Sequence, residues 1–527
     1  MKLAARVIIA LAAFVGAASH ATTVSLSPPT NLSDHWWNPV ESGWGLSLVQ
    51  HDERLLFGAL FAYDPSGRAQ WFVMPDMRRG EGVAPSYSGP LYSANGSPLG
   101  TNFDPAATRL QQRGEARVTP LLDGTASLRY SVDGTTVEKV VRRMDMMTLP
   151  LEGDYAVRFA SSAASSCGAV SRPDPEIWRI RRVAEGHAIS RTPIGDWPDA
   201  YQPMQVRQHG SALIASFAET QSPVRGTWSV VLDSVAGNSF TGKLSFVEDA
   251  PAGGCVLQGN VSGARGFPTY ELPGWLTDHW FDPSQPGWGL SIYQGSFGLF
   301  GVVFLYSADA RDAQGLGLAQ WYVMPEMRPI PFEQDPGSPP PPPNGYRGTV
   351  YSMQGTPLSQ PFDATATRGV AVGEATFLTN YADSTTLTYR IGDHTVTRPL
   401  RRFETAALPI AGQYRVDMNS NVTSCGQRGV ATSETWEIEG AADAGFFLSR
   451  TNAAGAAIGT RVPVEVTQRG KIAQLRFSSP QQGIANNWSV TFEHAGAGGV
   501  GGVYVRQGAE NSCYENGTFA GARVPGP

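Results

Sequence analysis

Charge is sparse in this chain. Only 16% of its 527 residues are Asp, Glu, Lys or Arg, and they sum to a formal −6. A strongly basic face is therefore lacking, which argues against nucleic acid or an anionic membrane surface as the main partner. Helical periodicity is also nearly absent. With 59 glycines and 39 prolines, the composition predicts many short strands joined by tight turns. Beyond the first residues, no stretch is long and apolar enough for a membrane-spanning helix, so no transmembrane segment is expected. There is no G-x-S-x-G elbow, H-E-x-x-H pair, phosphate loop or dinucleotide fingerprint. Enzymatic function is disfavoured on these grounds, and no cofactor or metal is expected.

Cysteine is scarce too, but its placement is informative. The four cysteines form two pairs, Cys167 with Cys255 and Cys425 with Cys513, each separated by 88 residues. Asp34-His35-Trp36 returns as Asp278-His279-Trp280, and Gly43-Trp44-Gly45-Leu46-Ser47 as Gly287-Trp288-Gly289-Leu290-Ser291, offset by 244 positions. A repeat this long implies whole domains rather than a solenoid. Of the three pairings four cysteines allow, only Cys167–Cys255 with Cys425–Cys513 respects the duplication. Disulfides imply an oxidising compartment. The start of the chain agrees, because Lys2, Arg6, an apolar run from Val7 to Ala18 and small residues to Ala21 have the layout of a signal peptide over residues 1–21. A secreted or periplasmic protein is expected.

Each half divides into two modules, giving an A-B-A-B order: A over 31–145 and 275–405, B over 149–267 and 408–527. Module A reads as a β-meander. In the segment from Phe57 to Tyr63 the aromatics fall on alternate positions, as do Phe300, Phe304 and Tyr306, so they share one strand face. Asp133-Gly134 and Gly392-Asp393 suit two-residue hairpin turns, which need positive φ. Successive hairpins with both faces partly apolar predict an all-β barrel or sandwich for each module. In module B one cysteine lies near the start and the other near the end. A bridge would therefore staple the first strand to the last. The second A copy adds a run from Pro339 to Pro343, read as a polyproline II spacer.

The string Trp36-Trp37-Asn38-Pro39-Val40-Glu41-Ser42-Gly43-Trp44-Gly45, followed by Phe61-Ala62-Tyr63-Asp64-Pro65-Ser66-Gly67 and Trp71, resembles a group of secreted bacterial domains with a W-W-N-P-x-E-S-G-W-G signature. The resemblance covers the A modules. It implies a secreted β-module and assigns no activity. The second copy departs from it, with residues from Phe281 to Pro286 in place of those from Trp37 to Ser42.

Five tryptophans recur across the repeat. Trp36, Trp44, Trp71, Trp178 and Trp228 answer Trp280, Trp288, Trp321, Trp436 and Trp488. Indoles stack on sugars and rings and also fill small barrels, and the core reading is favoured for most. Trp36 and Trp37, in a proline-containing segment, are the candidates for an exposed or rim platform. The expected ligand site is accordingly aromatic and lies in the A modules: Trp36, Trp37, Trp44, Trp71 and His35, with Trp280, Trp288, Trp321 and His279. Its ligand would be a glycan, a small hydrophobic molecule or an envelope component.

His35 and His279 each follow an Asp, which could orient a general base or a metal ligand, yet no second His or nucleophile accompanies either in sequence. A structural hydrogen bond is favoured. Met74, Met77, Met324 and Met327 could offer thioethers to copper but are better read as core fillers. Repeated acids, Asp76 with Glu326, Asp104 with Asp363, Glu115 with Glu374 and Glu176 with Glu434, travel with repeated arginines, Arg109 with Arg368, Arg142 with Arg401 and Arg191 with Arg450, and read as members of structural ion pairs. An acid pair for hydrolysis exists only in the first copy, because Glu41 becomes Gln285 in the second. The leading expectation is a non-catalytic binding protein. A hydrolase using Asp34, His35 and Glu41, or a structural envelope component, is the alternative.

Overall fold

A computed structural model describes residues 31–525 apart from 82–85, 122–123, 146–147, 163–164, 168–175, 194–199, 220–224, 237, 251–253, 267–275, 331–344, 382–383, 425–430, 442, 482–483 and 510–512. The expected signal peptide and the proline run from Pro339 to Pro343 lie outside the described residues. Those described form 32 strands and two three-residue 3-10 turns, all strand pairings being antiparallel. Strands β9 (Gly153–Ser161) to β16 (Val256–Arg265) close into one eight-stranded barrel, and β25 (Gly412–Thr423) to β32 (Tyr514–Arg523) into another. These are the second and fourth barrels in chain order.

The remaining strands, β1 (Asp34–Trp37) to β8 (Thr135–Arg143) and β17 (Asp278–Phe281) to β24 (His394–Arg402), share one sixteen-stranded sheet. Its halves meet where β5 (Tyr87–Gly96) pairs with β20 (Gly317–Pro329). Each half also closes on itself, through β5 with β6 (Arg109–Pro120) and through β19 (Gly298–Arg311) with β20. These halves are the first and third barrels. Closed barrels, rather than sandwiches, resolve the choice the sequence left open.

The period-2 pattern is used on both faces. In β3 (Leu55–Tyr63), Leu56, Leu60 and Ala62 turn into the first barrel's core with Trp36 and Leu46. Phe57, Ala59, Phe61 and Tyr63 project from the opposite face. There they meet Phe300, Val302, Phe304 and Tyr306 of the third barrel in a separate shared core. The alternating aromatics therefore glue two barrels together rather than fill one. Burying each such ring is worth roughly 1.5–3 kcal/mol. The turn joining β7 (Ala126–Val132) to β8 has Asp133 at φ 50° and Gly134 at φ 84°, the left-handed pair that a primed hairpin turn requires.

Contacts between the halves come in reciprocal pairs. Trp71 Nε1 donates to the Leu305 carbonyl at 2.9 Å, and Trp321 Nε1 to the Ala62 carbonyl at 3.0 Å. Asn95 pairs with Leu318, and Gln354 with Arg68. Between the second and fourth barrels, Asn260 Nδ2 donates to the Arg523 carbonyl at 2.7 Å while Thr518 Oγ1 donates to the Arg265 carbonyl at 2.6 Å. An approximate twofold relation follows from these exchanges.

The Cys167–Cys255 disulfide, with Cα atoms 4.8 Å apart, lies just beyond β9 and just before β16. Those two strands pair to close the second barrel. First strand is thus stapled to last. Cys513 is disulfide-bonded as well, while Cys425 falls outside the described residues.

Candidate functional site

An apolar cavity of about 210 Å³ lies between the first and third barrels. Trp36, Trp37, Trp44 and Phe61 line it from one side, and Phe300 and Trp321 from the other, with Met144 and Met353 adding flexible thioethers. Ser42 at its edge is exposed, and Trp37, Gly43 and Trp44 beside it are half-buried, so the cavity reaches solvent at that rim. Gly43 adopts φ +107° there, and its carbonyl accepts the Tyr63 hydroxyl. This left-handed conformation is one that a residue with a side chain rarely takes, and it brings Trp44 back toward the cavity. The Trp37 indole N–H has no protein partner among the described residues.

The expected platform needs one correction. Trp36 is 1% exposed, and its Nε1 donates to the Leu32 carbonyl at 3.0 Å. It forms the buried wall of the cavity rather than an exposed plate, because β1 tucks it under Arg143, whose guanidinium lies 4.7 Å from the ring centroid. Trp280 is held the same way by Leu276 and Arg402. Trp37 and Trp44 supply the rim. Trp71 and Trp280 do not line this cavity, and Trp288 borders a separate opening of about 260 Å³ near Leu99 and Phe103.

Met144 marks a difference between the two ends of this seam. Met144 N donates to the His35 carbonyl at 2.7 Å, and Phe403 N donates to the His279 carbonyl at 2.8 Å, so the two residues hold equivalent places. Phe403 packs 4.7 Å from Phe57 and 5.7 Å from Phe281 by ring centroid. The far end thus carries a rigid ring at the place where the cavity is lined by the flexible Met144. The unequal residues after Arg142-Arg143 and Arg401-Arg402 were visible in the sequence, though nothing there said that they face a ligand-sized space.

His35 and His279 make the structural hydrogen bonds favoured for them, each with a residue of the opposite half. They are linked across the seam through two serines, His35 Nε2 lying 2.9 Å from Ser291 Oγ and His279 Nε2 2.6 Å from Ser47 Oγ. Burial pushes the His35 imidazolium down to about 3, helped by the charge of His279, and pushes His279 down to about 4 against the opposing pull of Asp278. Both rings are neutral near pH 7. They border a polar chamber of about 140 Å³ at which all four barrels contribute, with Asp233, Asp278, Lys471 and His494 also on its wall.

Asp34, His35 and Glu41 take different partners. Asp34 Oδ2 accepts from Arg143 Nη1 at 3.1 Å and from the Ser211 backbone N at 2.7 Å, tying the first barrel to the second. Gly210 makes this approach feasible, since a Cβ there would stand 2.1 Å from Asp34 Oδ2. Glu41 pairs instead with Lys139 Nζ at 2.6 Å and lines neither cavity. The hydrolase constellation is not assembled by this geometry. Of the repeated acids, Glu176 and Glu434 form buried ion pairs, with Arg191 at 2.9 Å and Arg450 at 2.6 Å, whereas Asp76 and Glu326 pair with Arg78 and Arg328 at the surface. No family model, no curated protein and no solved structure matches the chain.

Proposed function

We propose that this protein is an exported, non-catalytic binding protein built by tandem duplication of an A-B unit, and that it holds a small apolar ring compound in the cavity between its A barrels. The cavity lined by Trp36, Trp37, Trp44, Phe61, Phe300 and Trp321 carries the reading. Its walls offer aromatic faces and edges for offset or edge-to-face contact, and an apolar cavity on the scale of 150 Å³ is roughly large enough for benzene. The unpartnered Trp37 N–H adds one donor for a ligand carbonyl or hydroxyl. Matched cysteine spacing and the layout of residues 1–21 support export, with Cys425 and Cys513 bridged as Cys167 and Cys255 are.

The test is titration of the full chain with a neutral naphthylamine probe, followed by tryptophan quenching. Saturable one-site binding is expected for the unaltered protein. Met144→Phe, which copies the residue at the opposite end of the seam, should abolish it while leaving the fold intact. Absence of saturable binding, or unchanged binding in Met144→Phe, would overturn the reading.

A further inference from the structure

The second and fourth barrels place the same Arg, Glu and Trp side chains in their interiors, but one carboxylate of the second barrel is missing from the fourth. In the second barrel, β13 (Ala212–Glu219) pairs with β14 (Gly226–Ala236) so that Phe217 faces Trp228 and Glu219 faces Gly226. In the fourth, β29 (Ile472–Gln481) pairs with β30 (Ile484–Ala495) so that Phe477 faces Trp488 and Ser479 faces Asn486. Ser479 therefore stands where Glu219 would be.

Glu219 has a definite task in the second barrel. Its Oε2 accepts from Arg191 Nη1 at 3.0 Å and from Trp228 Nε1 at 2.9 Å. The rest of the Arg191 fork is held by Glu176. In the fourth barrel the same fork is repeated, with Arg450 Nε and Nη2 donating to Glu434 at 2.7 and 2.6 Å. Arg450 Nη1, Trp488 Nε1 and Ser479 Oγ have no protein partner among the described residues. All three residues are deeply buried, at 4%, 3% and 1% exposure. An unpaired buried donor costs roughly 1–3 kcal/mol, and a charged one more.

We infer that the fourth barrel binds a small monovalent carboxylate, of formate size, at the position the second barrel fills with the Glu219 carboxylate. Exchange of Glu for Ser removes a carboxylate and leaves a hydroxyl at the γ position, so the group to be replaced is one carboxylate with little attached to it. The guanidinium donor selects an anion over a neutral acceptor, since charge-assisted hydrogen bonds are the stronger. Ser479 Oγ supplies a third donor. A second positive charge stands nearby: Arg506 lies 5.4 Å from the Trp488 ring, on a register position that the second barrel gives to Phe246. Glu515 pairs with Arg506 at 2.6 Å, so it is committed there. This inference is independent of the aromatic cavity.

The experiment is thermal unfolding of the full chain in formate against chloride at equal ionic strength and pH. Binding to the folded state alone raises the midpoint with ligand concentration. The unaltered protein should show a saturable rise of a few degrees in formate beyond that in chloride. Ser479→Glu restores the internal carboxylate and should lose the formate-specific rise. Glu219→Ser empties the corresponding place in the second barrel and should gain an additional one, which keeps the test decisive if Ser479→Glu fails to fold. An identical formate response in all three proteins overturns the inference, as does an equal effect of chloride and formate. A crystal grown in formate that shows only a water between Arg450 and Trp488 would overturn it too.

Discussion

Ser47 and Ser291 stand 244 residues apart in the chain, yet their hydroxyl oxygens are 2.8 Å apart on the wall of the chamber that all four barrels border. Each hydroxyl also contacts the histidine of the opposite half, Ser47 with His279 and Ser291 with His35. Four buried groups thus satisfy one another across the seam between the first and third barrels.

Replacing Ser47 by Ala strands His279 Nε2 and removes one neighbour from Ser291. A loss of about 1–3 kcal/mol in unfolding free energy is expected, because partners left buried without a bond carry the desolvation penalty. In a double-mutant cycle with Ser291→Ala the two losses should not add, since the residues share one network. Urea unfolding followed by tryptophan fluorescence checks both points. Strict additivity would show that the two serines act independently.

This seam explains what the sequence could and could not reveal. Alternating Phe57, Phe61 and Tyr63 announced a strand with one aromatic face, and the cysteine spacing announced a staple from the first to the last strand of module B. Period-2 alternation does not say which face is inside. Here the aliphatic Leu56 and Leu60 fill the barrel and the aromatic face meets a second barrel. The same limit misplaced Trp36, which looked like a rim residue until β1 was seen beneath Arg143. Packing of one finished barrel on another leaves no local periodic signal. That Ser479 replaces Glu219 emerged only from the strand register and the bonds of Arg191.

Phe403→Met should open, at the far end of the seam, a space like the one that Met144 lines at the near end. Loss of the ring contacts to Phe57 and Phe281 is expected to cost about 1–3 kcal/mol, toward the lower part of the range for large-to-small core changes. The gain should be a second probe-binding site. A stoichiometry of two in the tryptophan-quenching titration is the expected outcome, and a stoichiometry unchanged at one would show that the seam relaxes around the smaller side chain.

Cys167→Ser with Cys255→Ser removes the tie between β9 and β16. Because the bridge spans 88 residues, the loop-closure argument predicts a loss of roughly 4–5 kcal/mol. The fourth barrel should hold its own bridge independently. Peptide mapping without reductant is expected to recover Cys425 joined to Cys513, and a peptide joining Cys167 to Cys425 would contradict both bridges.

The polar chamber sets a pH dependence whose sign can be worked out at Glu493. This residue lies on β30, with Asn238 Nδ2 3.4 Å from its Oε1. Arg402 and Lys471 favour its charged form, and His494 is its neighbour in sequence. Burial outweighs these partners and pushes the carboxyl up from 4.5 to about 7. The folded protein therefore keeps a proton that the unfolded chain releases near 4.5. Glu493 contributes its full stability below pH 4.5 and loses it as pH rises through 7, at a slope of at most about 1.4 kcal/mol per pH unit. Buried His35, His279 and His494 act in the opposite sense, since burial pushes them down to about 3, 4 and 3. Their contribution grows as pH rises from those values to 6.5. Total stability mixes the two trends, so the readout is the difference between the unaltered protein and Glu493→Gln, in which the histidine contributions cancel. That difference should fall steadily between pH 4.5 and 7 and level off above, as measured by urea unfolding at half-unit intervals. A difference that is flat across this window would mean that Glu493 is already ionised in the folded chamber.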